Sequence, residues 1–329
     1  MSTPNGRELT FSHAIREAIA EEMRQDERIF VIGEDVAGAG GVFKVTEGLL
    51  AEFGPNRMLD SPISEQGIAG TAVGAAMTGM RPVLEIMFGD FTGLVMDQIV
   101  NQAAKVHYMS GGKLNVPMVM RTTMGAGRRS AAQHSQSLAA WFCHIPGLKV
   151  VMPSTPYDAK GLLKSAIRDD SPVVFFEDKM MYQLKGPVPE SEYTLPLGQA
   201  DVKREGEDIT IVATSSMVHV ALNAADQLQK QGVSAEIIDP RTLFPLDTET
   251  LIASAKKTSR AIVIDEGYRR YGITGEIAST IAEGAFYYLD APVQRIAAMD
   301  VPVPFSPPLE DATIPDESKL IDAVLELVG

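Results

Sequence analysis

The chain has 329 residues, 45% hydrophobic and 22% charged, and 43 acidic against 29 basic side chains leave a net charge of −14. That length points to about two domains, the apolar share is ample for packed cores, and the composition excludes a disordered or fibrous chain. The negative balance speaks against nucleic acid or an anionic membrane as partner, because both would repel it. One cysteine, Cys143, excludes a disulfide framework and a cysteine-based zinc site. The opening MSTPNGRELTF has no apolar signal core, and no stretch approaches the roughly 18 uninterrupted apolar residues of a membrane helix. A cytoplasmic protein is the expectation.

In chain order, Phe11, Ile15, Ala18, Ile19 and Met23 recur at helical spacing, with Ser12 near the start. The apolar run Ile29–Ile32 reads as a buried strand ending at Gly33-Glu34-Asp35, before a Gly-rich loop over residues 37–41. Further buried strands are expected at 83–87, 116–120, 150–152 and 173–176, with helices over 67–80, 94–109 and 159–168 between them. The stretch 186–206 holds Pro187, Pro189 and Pro196 with no period and reads as a linker. Beyond it strands at 209–213, 235–239, 261–265 and 293–298 alternate with helices at 220–230, 248–257, 275–288 and 318–328. The expected domains are therefore residues 1–185 and 207–329. Alternation of this kind implies open α/β domains with largely parallel sheets, which bind ligands at the carboxyl ends of their strands.

Several motifs fail on inspection. Gly125-Ala-Gly127-Arg-Arg-Ser130 mimics a dinucleotide loop but lacks its third glycine and the acidic residue that should follow. Gly89-Asp90-Phe91, with Asn115 downstream, is half of a Gly-Asp-Gly…Asn diphosphate motif, and Phe91 stands where a glycine is needed. His134, Cys143 and His144 lack zinc-ligand spacing.

Two residues look chemical. Glu65 follows the turn Ser61-Pro-Ile-Ser64 and opens a segment with Gly67, Gly70, Thr71, Gly74 and Ala75, small residues that permit close approach of another element. It reads either as a helix-capping acid or as a carboxyl at a tight interface, where desolvation would raise its pKa and the helix N-terminus would lower it. His134, in Ala131-Ala-Gln-His134-Ser-Gln136, follows a strand and a flexible loop. It reads either as a satisfied histidine or as a proton donor and acceptor.

The assembled segments resemble the β subunit of a thiamine-diphosphate-dependent 2-oxo acid dehydrogenase decarboxylase component. They are Val31-Ile-Gly-Glu34-Asp35, Asp60-Ser-Pro-Ile-Ser-Glu65, Tyr108-Met-Ser-Gly-Gly112, Ala131–Gln136, Pro146–Val151, Asp158-Ala-Lys-Gly161, Ala166-Ile-Arg-Asp169 and Val301-Pro-Val-Pro304. Within that family, residues 144–151, 153–163, 121–127 and 238–242 look most like acetoin dehydrogenase. Pyruvate and branched-chain 2-oxo acid dehydrogenases share many of these cues. A single-chain transketolase-like synthase would carry its own Gly-Asp-Gly motif, and a non-catalytic scaffold remains the reading from another class.

The resemblance implies a pyrimidine-binding α/β domain followed by a transketolase C-terminal-like α/β domain. It implies an α subunit, in an assembly of two α and two β chains, that holds most of the contacts to the Mg²⁺ and diphosphate of thiamine diphosphate. It also implies a small-molecule substrate and a dihydrolipoyl acyltransferase core that receives the acyl group on lipoamide. By position, Glu65 is the carboxyl that bonds the aminopyrimidine ring nitrogen, Phe91 the aromatic that packs on that ring, and Glu34 a carboxylate near the acidic passage between paired sites. His134 is the histidine of proton transfer and handoff to lipoamide. Some relatives hold a potassium ion at positions matching Met118, Ala166, Ile167, Asp169 and Ser171, mostly through backbone carbonyls, with Ser171 in place of an amide residue.

Overall fold

In the computed structural model, residues 7–329 are described, so the stretch Met1–Gly6, part of the segment read as lacking a signal core, lies outside them. Two compact units are found. One runs up to Met124 and resumes over Trp141–Leu197; the other comprises Gly125–Ala140 and Gly198–Gly329.

The first unit is built on a sheet whose strands run in the order Lys149–Val151, Val173–Asp178, Val119–Met124, Arg81–Ile86, Ile29–Gly33 and Met58–Asp60. Every neighbouring pair is parallel, with Val31 opposite Val83 and Val83 opposite Val119. Buried on both faces, these strands are continuous apolar runs rather than alternating ones. One face packs Val31, Val83, Val119 and Val173 against Phe11, Ile15, Ile19 and Met23 of the Phe11–Gln25 helix and Leu162, Leu163 and Ile167 of the Pro156–Arg168 helix. These two helices are also tied by ion pairs: the buried Lys160 and Lys164 ammonium groups reach Glu17 and Glu21, and Arg168 reaches Glu22. The Phe11–Gln25 helix is capped by Thr10, whose hydroxyl accepts the His13 N–H.

The expected strand at 116–120 begins three residues later, at Val119. Pro117 has no N–H for a ladder, and Met118 N–H bonds back to Val116 O. The expected helix over 94–109 divides into a 3₁₀ stretch, Gly89–Val95, a π-helical stretch, Asp97–Ala103, and a short α-helix, Ala104–Met109. π-helical turns occur frequently at functional sites.

The second unit carries a sheet in the order Gln294–Ala298, Ala261–Tyr268, Ile209–Ala213, Ala235–Asp239 and Asp201–Arg204, parallel except for the last strand. Side-chain alternation splits its core. Ile209, Ile211, Ile237, Ile262 and Ile264 face Met217–Gln229 and Leu320 and Val324 of the last helix; Val212, Ile238 and Val263 face Leu251, Ile277 and Ile281. No helix among the described residues is long and apolar enough to cross a membrane.

Candidate active site

Glu34, Glu65, Phe91 and His134 each follow the carboxyl end of a strand or open the helix after one. Glu34 follows Ile29–Gly33, and Phe91 lies in the 3₁₀ stretch after Arg81–Ile86. Glu65 is the first residue of the Glu65–Met77 helix, which follows Met58–Asp60. His134 sits in the loop that begins at Gly125, the residue after Val119–Met124. Glu34, Glu65 and Phe91 belong to the first unit and His134 to the second.

The structure brings Glu34 and Glu65 together. Desolvation raises the pKa of Glu34, the Glu65 charge raises it further, and the Ser64 N–H opposes both. The Glu34 atom Oε1 is buried and has no hydrogen-bond partner among the described residues. A buried acceptor of this kind costs free energy until a donor reaches it, so the Glu34–Glu65 pair fits a donor-bearing ring such as an aminopyrimidine. The backbone behind Glu34 is pinned, because the Asp60 carboxylate accepts the N–H groups of Ala37 (2.7 Å) and Gly38 (2.9 Å).

Ser64 is the N-cap of the Glu65 helix, but its side chain makes no capping bond. On that helix Ile68, Ala69, Ala72, Val73 and Ala76 are buried, whereas Gly67, Gly70, Thr71 and Gly74 form an exposed face. A Cβ added at Gly74 would meet nothing within 4 Å, and one at Gly70 would meet only Gln98 Cγ at 3.9 Å. The chain itself therefore does not require glycine at these two positions.

Phe91 packs edge-on against Phe88 with centroids 5.6 Å apart; Phe88 meets Phe43 at 5.8 Å, and Phe43 stacks on Tyr182 at 4.9 Å. This aromatic row gives Phe91 a rigid backing. Asn115, downstream of the Gly89-Asp90-Phe91 half-motif, bonds His107 Nδ1 at 2.8 Å through its side-chain oxygen.

Sequence reasoning missed a buried ionic cluster under the same strand ends. Arg121, 2% exposed, donates to both carboxylate oxygens of Glu177 (2.7 and 2.9 Å) and to Glu85 (2.7 Å). The Tyr182 hydroxyl donates to Glu177 at 2.7 Å. Burial pushes Glu85 up, against the pull of Arg121, and the neighbouring Glu177 charge pushes it further. Burial likewise raises Tyr182 well above its ordinary value. A Cβ at Gly41 would lie 3.4 Å from Glu85 Oε1, so the Gly-rich loop rests on this cluster. Gln98 was missed too. It stands in the π-helical stretch beside Gly70, and its Oε1 is buried with no partner among the described residues.

The positions matched to potassium gather where the Pro156–Arg168 helix ends. Arg81 Nη1 donates to Ile167 O and Asp169 O, each at 3.0 Å, and Asp169 N–H to Ala166 O at 3.3 Å. Val173 N–H bonds Met118 O at 2.9 Å, while the Asp169 carboxylate takes the Ser171 N–H and the Lys149 ammonium. Two side-chain cations thus already serve these oxygens.

Comparison with known proteins gives the family of the chain. The model described as transketolase, pyrimidine binding domain, matches residues 7–185, and that described as transketolase, C-terminal domain, matches 198–320. The chain is 53% identical to the acetoin:2,6-dichlorophenolindophenol oxidoreductase subunit beta of Bacillus subtilis, over 98% of each chain. It is 49% identical to the pyruvate dehydrogenase E1 component subunit beta of Rhizobium meliloti (98% of this chain, 71% of that one). To the 2-oxoisovalerate dehydrogenase subunit beta of Bacillus subtilis the identity is 47%, over 97% of this chain and 98% of that one. A solved structure titled split gene transketolase, inactive beta4 tetramer, superposes with a TM-score of 0.79 at 24% identity, over 97% and 98% of the two chains, and shares the fold. With both domain models matched in order and near full-length identity to several β subunits, the chain belongs to the family of oxidoreductase β subunits of thiamine-diphosphate-dependent acetoin and 2-oxo acid dehydrogenases.

Proposed function

We propose that this chain is the β subunit of an acetoin-cleaving dehydrogenase component that passes the acyl group to lipoamide on an acyltransferase core. Pyruvate and branched 2-oxo acids are the alternative substrates. The observation that carries the reading is the Glu34–Glu65 pair, with a buried unpartnered oxygen, at the strand ends of the domain matched to pyrimidine binding. The 53% identity to an acetoin enzyme favours acetoin over the other two.

In this reading thiamine diphosphate, when bound, supplies the thiazolium carbon that takes up the acyl fragment and the electron pair. Glu65 holds a proton at the aminopyrimidine ring nitrogen, and the half-exposed, pinned position of Glu34 keeps a second carboxyl beside it. Phe91 presents its face to the ring from its aromatic backing. His134 moves the proton during transfer to lipoamide. Mg²⁺ and the diphosphate fall to the α subunit, two copies of which pair with two of this chain, and the −14 balance suits a basic docking domain on the acyltransferase. Assay of the chain with its co-purifying α partner, thiamine diphosphate and Mg²⁺ tests the substrate. Acetoin is expected to give the highest kcat/KM, and a higher value for pyruvate or a branched 2-oxo acid would reassign it.

The exposed Gly67–Gly74 face is the proposed seat of the partner chain. Gly74→Leu is expected not to lower the stability of the isolated chain, since an interior helix glycine costs about 0.5–1 kcal/mol, and to weaken α-subunit assembly at least tenfold. Unchanged assembly in a size-exclusion titration would remove this face from the interface.

The potassium assignment at Met118, Ala166, Ile167, Asp169 and Ser171 requires the carbonyls to share their second lone pairs with an ion beside Arg81. A thermal midpoint higher in potassium chloride than in sodium or choline chloride at equal ionic strength supports it. Equal midpoints assign the charge at this turn to Arg81 and Lys149.

A further inference from the structure

We propose that Glu310, with Glu266 and Arg129, positions the loop that carries His134 and thereby governs the transfer step without acting on the substrate. The proposal rests on the reading of His134 given above. Residues 125–138 form no helix or strand, so the loop cannot hold itself. Its backbone is also strained. Gly125, Gly127, Arg129 and Ala131 all have positive φ, at 93°, 92°, 58° and 60°. Arg129 and Ala131 carry a Cβ, and such conformations persist only where the surroundings impose them. The local bond from His134 N–H to Ala131 O is 3.3 Å.

What imposes the loop's shape comes from 140 to 183 residues away in sequence. Glu310, fully buried on the Pro307–Thr313 helix, accepts the Gly127 N–H at 2.7 Å and the Arg129 N–H at 3.1 Å, one on each oxygen. Arg129 Nη1 adds a third donor at 2.8 Å and also reaches Pro307 O and Asp311. Glu266, buried at the end of the Ala261–Tyr268 strand, accepts the Ala126 N–H at 2.5 Å. A buried carboxylate is tolerated only where donors replace its water. The donors to Glu310 come from the loop, so the charge and the loop's order depend on each other. Ala126, Gly127 and Arg129 are fixed within eight residues of the imidazole, and the loop packs with the C-terminal unit for this reason.

Glu310→Gln keeps the shape but replaces one acceptor oxygen by an NH₂, which must face an N–H group of the loop. The test uses the assembled enzyme with α partner, thiamine diphosphate and Mg²⁺. It measures two rates from acetoin: reduction of dichlorophenolindophenol and acyl transfer to lipoamide. Glu310→Gln is expected to slow transfer on the order of tenfold while the dye rate changes less than about twofold. Added to His134→Ala, it is expected to cause no further loss of transfer. In the full-length chain, amides of residues 126–134 should exchange faster while the helices of both units keep their protection. Arg129→Met, which leaves both backbone bonds to Glu310, gives the same pattern with a smaller loss and serves if Glu310→Gln does not fold. The proposal is overturned if Glu310→Gln slows both rates equally, leaves transfer unchanged, or multiplies with His134→Ala. The His134 reading fails separately, if His134→Ala alone leaves transfer intact.

Discussion

Glu65→Gln is expected to lower turnover of the assembled enzyme by about 10²–10⁴-fold, the usual contribution of a positioned proton-transfer group. The substitution preserves volume at the first residue of the Glu65–Met77 helix but replaces one carboxyl oxygen by an NH₂, which cannot take up or release a proton as a carboxyl does. The fold should not register it. Glu65 is not part of the core, and the buried face of its helix is carried by Ile68, Ala69, Ala72, Val73 and Ala76. A thermal midpoint near wild type together with lost turnover is the expected pair of results. Near wild-type turnover at saturating α subunit and thiamine diphosphate would remove Glu65 from the chemistry.

The largest expected effect on stability comes from Arg121→Met. The Arg121 guanidinium bonds both Glu85 and Glu177, and its removal leaves two carboxylates facing each other in the interior. Breaking a buried ionic set in this way costs about 3–5 kcal/mol, a large part of the roughly 5–15 kcal/mol by which a domain is stable. The pH dependence has a definite sign. Glu85 already has a folded pKa above its ordinary value, and losing Arg121 raises it further. A folded state that binds the proton more tightly than the unfolded one is favoured at low pH and loses that advantage as pH rises through the folded pKa. The deficit of Arg121→Met is therefore expected to be smaller near pH 5 than near pH 8 in thermal unfolding. A deficit that grows on acidification, or one below about 1 kcal/mol at both, would show that the cluster does not hold the strand ends together.

Much of this architecture is legible in the sequence because period and punctuation agree with the fold. The strands Ile209–Ala213 and Ala235–Asp239 and the start of Ala261–Tyr268 fall where uninterrupted apolar runs place them. Glu65 opens its helix because Pro62 and Ser64 punctuate the chain just before it. What escapes has a physical cause in each case. Arg121 hides in an apolar strand because its partners, Glu85 and Glu177, lie 36 and 56 residues away. The helix read over 94–109 has continuous helical composition, so nothing in its pattern marks the π-helical stretch that turns Gln98 inward. Chain order puts the loop of His134 with the first half, yet its backbone donors are matched by Glu266 and Glu310, which no local signal links to it. The Gly125-Ala-Gly127 pattern is the nearest clue, since glycines there mark positive φ rather than a nucleotide loop.

We propose that this chain supplies the pyrimidine-side half of a shared active site, with Glu65 as its working carboxyl. The most direct measurement is the hydrogen–deuterium exchange rate of the thiazolium C2 proton of thiamine diphosphate. It is followed by quenched-flow NMR with this chain alone, with the α and β chains together, and with Glu65→Gln in the pair. Fast exchange is expected only in the wild-type pair, with both other samples close to the free cofactor. Fast exchange in the Glu65→Gln pair, or with this chain alone, would contradict it.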